Sequence, residues 1–127
     1  MYGADIDRNI LFQEDRIKTF YCDQLDVSSI RELWSNAELQ GGADIIIEDG
    51  LHTFDANVSF LEGSLDQLRP GGTYIVEDIL SNHIEDWYER LETVYSKRYP
   101  NHEFAFVVLP SGKNRDGNVL VVRRGGK

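Results

Sequence analysis

Ile46-Ile47-Glu48-Asp49-Gly50-Leu51-His52 and Tyr74-Ile75-Val76-Glu77-Asp78 decide how this chain is read. Each is a β-branched apolar run that ends in carboxylates, the pattern of a strand buried on both faces. In an open parallel sheet, residues just beyond the carboxyl ends of the strands face the ligand crevice. If these two strands are neighbours, Asp49, Glu77 and Asp78 converge, with His52 beside them. Three carboxylates and a histidine in one cleft point to a divalent metal and a general base.

Working outward, short strands are predicted at Tyr2–Asp7 and Ile17–Cys22, with a brief helical turn around Asn9–Glu14 between them. A helix from Val27 carries Ile30, Leu33, Trp34 and Leu39 at three-and-four spacing and stops at Gly41-Gly42. After the Ala43–Glu48 strand, a longer helix places Phe54, Val58, Leu61, Leu65 and Leu68 on one face, with Thr53 or Asp55 as its cap. Arg69-Pro70-Gly71-Gly72 reads as a turn into a strand over Thr73–Val76. A further helix spans Ile84–Arg98, with Trp87, Leu91, Val94 and Tyr95 inward. Strands at Glu103–Leu109 and Asn118–Arg123 flank a polar connection, Pro110–Gly117, whose Lys113-Asn114-Arg115 group reads as a solvated hairpin tip. Strand–helix alternation closing in a hairpin implies an α/β fold: a Rossmann-like, mostly parallel sheet of about six strands, flanked by helices, with a C-terminal antiparallel hairpin.

The chain has 127 residues, which is one domain, and its 41% hydrophobic and 28% charged content is that of a globular protein. A net charge of −9 argues against nucleic acid or an anionic membrane as partner. No apolar run is long enough to span a bilayer, and no leader pattern opens the sequence. The single cysteine, Cys22, reads as a small core residue in a reducing, cytoplasmic setting.

Gly3-Ala4-Asp5-Ile6-Asp7, Asp23, Asp49-Gly50-Leu51-His52, Leu68-Arg69-Pro70-Gly71-Gly72 and Glu77-Asp78 together resemble the class I S-adenosylmethionine-dependent methyltransferases. The similarity is to the branch that holds metal-dependent macrolide-sugar O-methyltransferases and cephalosporin-hydroxylase-like proteins. It implies an O-methyltransferase, or a segment of one, acting on a sugar or polyol hydroxyl as its small-molecule acceptor. The implied cofactors are S-adenosylmethionine and Mg2+ or Mn2+. The implied metal ligands are Asp49, Glu77 and Asp78, and the implied base is His52. The implied cofactor-binding residues are Asp5 for the ribose hydroxyls and Asp23 for the adenine amino group.

The resemblance also implies a first strand and a glycine-rich loop that these residues lack, so residues 1–127 read as a single truncated methyltransferase-like domain. The strands that flank that position in the family then pair directly, or another chain fills the gap as in a homodimer, or the chain is a piece of a longer protein. A non-catalytic scaffold serving as a dimerisation or interaction module is the alternative function, and a metal-dependent small-molecule binder is a third.

Each site residue also has a plainer reading. Asp49 and Asp78 precede helices, where a carboxylate caps the free N–H groups. Asp5 and Asp23 stand where aspartate forms turns, and Asp7 reads as a cap. Two acidic clusters at adjacent strand ends favour the metal reading over two separate caps. Strand alternation turns Glu48 away from Asp49 and out of the ligand set. His83 and His102 read as surface or capping residues, and Trp34, Trp87, Tyr88, Tyr95 and Tyr99 as packing.

Overall fold

The computed structural model describes residues 1–109 and 116–126; the hairpin tip expected from Pro110 onward, including Lys113-Asn114-Arg115, lies largely outside them. Seven strands and three α-helices follow in the order β1 (Tyr2–Asp5), β2 (Gln13–Glu14), β3 (Ile17–Tyr21), α1 (Val27–Trp34), β4 (Ala43–Glu48), α2 (Phe54–Ser64), β5 (Leu68–Ile79), α3 (Ile84–Arg90), β6 (His102–Val107) and β7 (Asn118–Arg124). The third helix continues through a π turn over Leu91–Tyr95 and an α turn over Ser96–Arg98.

The strands form two sheets, ordered β1-β3-β2 and β4-β5-β7-β6, where a single sheet was expected. β1 pairs parallel to β3, and β4 parallel to β5, whereas β7 runs antiparallel between β5 and β6 as the terminal hairpin. Direct pairing of β1 with β4 does not occur, so each keeps one edge without a strand partner among the described residues. Helices join the two halves instead. One core gathers Leu61, Leu65, Tyr74, Val76, Trp87 and Leu120; the other gathers Phe20, Cys22, Ile30, Leu33 and Leu39. Trp34 and Phe60 pack against both, and Trp34 Nε1 donates to Ser64 Oγ at 2.9 Å, tying α1 to α2.

Alternation in β4 and β5 shows which face the helices cover. Ile46, Tyr74 and Val76 are buried, while Ile45 and Ile47 on the opposite face are 64% and 57% exposed. The apolar run of β4 therefore has one covered face and one open face, rather than the two covered faces its composition predicts.

Local chemistry explains the boundaries. Asp26 caps α1 by accepting from Ser28 N, and Thr53 caps α2 by accepting from Ala56 N. α1 stops at Trp34, short of Leu39, because Asn36 Nδ2 takes the carbonyls of Glu32 and Leu33 and ends the helical ladder. The Arg-Pro-Gly-Gly segment lies inside β5: Leu68 pairs with Ala43, the register then slips, and Thr73 pairs with Ile45. Gly71, at φ 81°, absorbs that irregularity as a bulge.

Gly42 follows a 3-10 turn over Ala37–Leu39 at φ 73°, and a Cβ there would stand 2.5 Å from the Gln67 carbonyl oxygen. Gly42→Ala combines left-handed strain with a backbone collision. It should cost more than about 1 kcal/mol, read as a lower urea midpoint.

Candidate functional site

The carboxyl ends of the parallel strands carry the chemistry. Asp49 and His52 follow β4, and Asp78 lies near the end of β5. One ligand atom from each of these three falls within 4.8 Å of the others. His52 Nε2 stands 3.8 Å from Asp49 Oδ1, and His52 Nδ1 is buried without a hydrogen-bond partner. Glu77 is half-buried, and its carboxylate lies outside this group.

Backbone geometry aims Asp78. β5 and β7 pair at Val76–Leu120 and next at Ile79–Asn118, so Glu77 and Asp78 together face the single residue Val119. Such a bulge re-aims side chains next to functional sites. Asp78 itself adopts φ 51°, a left-handed conformation that aspartate and asparagine tolerate better than most residues. Asn118, fully buried, pins the bulge: its Nδ2 donates to the Ile79 carbonyl at 2.9 Å and its Oδ1 accepts from Leu109 N at 3.0 Å.

Asp5 and Asp23 sit at the ends of β1 and β3, joined where Cys22 N donates to the Asp5 carbonyl at 3.0 Å. Asp5 Oδ1 accepts from Asp7 N at 2.8 Å, and Asp23 Oδ1 accepts from Leu25 N at 3.0 Å. Each carboxylate is thus oriented by a local turn through one oxygen. Asp7 does act as a cap, accepting from Asn9 N.

Three polar residues that were not singled out as site residues connect the two halves. Glu48 is buried, and its Oε1 accepts from Gln24 Nε2 and, at 2.5 Å, from Asn57 Nδ2. Gln24 Oε1 in turn accepts from Leu51 N at 2.8 Å. Burial pushes the Glu48 carboxyl up to about 7, against the lowering effect of its Asn57, Gln24 and Tyr74 contacts. Tyr74 Oη approaches Glu48, but neither it nor Glu48 Oε2 completes a well-aligned hydrogen bond. The other two histidines are less exposed than expected. His83 packs against Phe54, and His102 packs against Tyr99, where burial lowers its pKa.

An open depression of about 300 Å³ lies elsewhere, lined by Met1, Tyr2, Glu14, Ile17 and Lys18. It sits at the amino ends of β1 and β3, the wrong end of a parallel sheet for a ligand crevice.

No family model matches the chain. The chain is 36% identical over 83 residues to the 8-demethyl-8-alpha-L-rhamnosyl tetracenomycin-C 2'-O-methyltransferase of Streptomyces olivaceus, covering 65% of this chain and 21% of that protein. It is 35% identical over 79 residues to the demethylmacrocin O-methyltransferase of Streptomyces fradiae, covering 62% and 19%. The chain thus spans about a fifth of the length of the curated relatives it matches. Among solved structures, the MycE methyltransferase of the mycinamycin biosynthetic pathway, in complex with Mg and SAH, superposes with a TM-score of 0.64 at 25% identity, over 98% of this chain and 37% of that one. A putative rRNA methylase from Clostridium thermocellum shares the fold at a TM-score of 0.68 and 12% identity, over 98% and 72%.

The fold is that of the S-adenosylmethionine-dependent methyltransferases. The curated relatives within it are O-methyltransferases, including sugar-modifying ones.

Proposed function

We propose that this chain is the metal- and acceptor-binding segment of an S-adenosylmethionine-dependent O-methyltransferase that modifies a sugar or polyol hydroxyl. The convergence of Asp49, His52 and Asp78 at the ends of β4 and β5 carries the reading. The carboxylates suit Mg2+ or Mn2+, since oxygen donors favour hard cations. Asp49, Glu77 and Asp78 are the proposed ligands. A divalent ion held there supplies Lewis-acid polarisation of a bound hydroxyl. His52 takes the hydroxyl proton at Nε2, and Asp49 beside it stabilises the imidazolium that forms. Asp5 accepts from the ribose hydroxyls and Asp23 from the adenine amino group. The reading places the chain in the cytoplasm, where the buried thiol of Cys22 stays reduced.

Calorimetry with S-adenosylhomocysteine tests the cofactor half. Binding is expected, and Asp5→Ala or Asp23→Ala should weaken it about tenfold, the worth of one hydrogen bond to a charged group. No heat at millimolar ligand would remove the cofactor from the account. Glu77→Ala tests the third ligand, because its carboxylate stands outside the cluster. A ligand role predicts about tenfold or weaker Mn2+ binding, and an unchanged affinity leaves Asp49 and Asp78 as the carboxylate pair.

A second reading rests on the open face and edges. Exposed Ile45 and Ile47 beside the unpaired edge of β4 favour association with a second copy of the chain. Light scattering should show a dimer that Ile45→Lys/Ile47→Lys converts to monomer. A wild type that is monomeric throughout would end this reading.

A further inference from the structure

Gln24 is one residue beyond the proposed adenine acid Asp23, and its side chain reaches the loop that follows β4. Its amide is used at both ends: Nε2 donates to the buried Glu48 carboxylate, and Oε1 accepts from Leu51 N at 2.8 Å. Asn57, from α2, donates to the same Glu48 oxygen at 2.5 Å, so the carboxylate that holds Gln24 is itself held. Gly50 is shaped to this arrangement. A Cβ on Gly50 would fall inside van der Waals contact of Gln24 Oε1, so a side chain there and the Gln24 contact exclude each other. Leu51 N is the backbone donor midway between Asp49 and His52, the two cluster residues contributed by this loop.

We infer that Gln24 is the positioning residue of the Asp49–His52 loop, holding its backbone through Leu51 N and Gly50 while Glu48 and Asn57 hold Gln24. Gln24 touches no reacting group. It acts by fixing where Asp49 and His52 stand, and it makes the loop after β3 and the loop after β4 one mechanical unit. Partners that orient metal ligands in this way typically change metal affinity by about 10- to 100-fold when removed. The metal consequence rests on the metal centre proposed above; the loop consequence does not.

The test uses amide hydrogen exchange at Leu51 and Mn2+ affinity by calorimetry, both on the intact chain. Gln24→Ala should speed Leu51 exchange on the order of tenfold and weaken Mn2+ by about tenfold or more. Gly50→Ala should do the same in the wild type, yet add little in the Gln24→Ala background, because the group it displaces is already gone. Gln24→Glu replaces the amide that donates to Glu48 with an acceptor and should impair both readouts. Adding Glu48→Gln should restore both readouts, since an amide at 48 can donate to the carboxylate at 24 and accept from Asn57. A merely structural role predicts no such rescue and additive effects of Gly50→Ala. Unchanged Leu51 exchange in Gln24→Ala would overturn the inference. If the wild type binds no Mn2+, the metal centre falls and the exchange measurements alone decide the positioning role.

Discussion

Glu48→Gln is expected to stabilise the protein by up to about 3 kcal/mol at pH 8 in metal-free buffer, and to change little near pH 4.5. Burial raises the Glu48 carboxyl from 4.5 to about 7, so the folded state holds a proton that the unfolded chain releases earlier. The stability this group contributes is full below about pH 4.5 and falls as pH rises toward 7. Above that, the folded protein carries a buried carboxylate whose second oxygen lacks a well-made hydrogen bond. Glutamine keeps an oxygen for Gln24 and Asn57 and offers an N–H to Tyr74 Oη. His102, held low by burial, works in the opposite direction as pH falls, so the difference between variant and wild type is the quantity to read. Urea midpoints at the two pH values, with chelator present, measure it. An equal shift at both would mean Glu48 does not titrate with folding.

Trp87→Ala should cost about 3–5 kcal/mol, the largest loss from any single side chain considered. Trp87 is fully buried in the larger core and meets Phe54 edge-on, with ring centroids 5.2 Å apart. It joins α3 to the start of α2, the helix that follows the Asp49–His52 loop. Its Nε1 is buried with no acceptor among the described residues. Trp87→Phe therefore loses area but also sheds an unsatisfied donor, and should cost less than about 1.5 kcal/mol. Chemical denaturation of the two variants separates these terms. A similar large loss in both would mean that the indole nitrogen has a partner in solution.

Much of this fold was legible because its signals are local. Phe54, Val58 and Leu61 keep their helical spacing, Leu65 follows in a 3-10 turn, and β4 runs from Ala43 to Glu48 as its composition predicts; Leu68, expected at the end of the same helix face, instead begins β5. Asp49 and His52 are three residues apart, so their meeting needed only the strand end that precedes them. What the sequence hid depends on distant partners. Arg69-Pro70-Gly71-Gly72 has turn chemistry, but the pairing of Leu68 with Ala43 draws it into β5 as a bulge. The left-handed backbone of Asp78 follows from a register slip set by Asn118, forty residues away in the chain and unremarkable as an asparagine. Gln24 and Asn57 reach Glu48 across separations of 24 and 9 residues, and no periodicity announces such contacts. The division into two sheets falls between β1 and β4, the strands that flank the position for which the resemblance implies a further strand.

Thermal unfolding with and without Mn2+ or Mg2+ tests the central claim most directly. A metal at a hundred times its dissociation constant stabilises the folded state by about 2.7 kcal/mol, a rise in melting temperature of several degrees for a domain of this size. Asp49→Asn and Asp78→Asn keep the local backbone preferences and remove the charge, so both should fold and lose most of that rise. No rise in the wild type, or an equal rise in all three proteins, would contradict a metal centre held by Asp49 and Asp78.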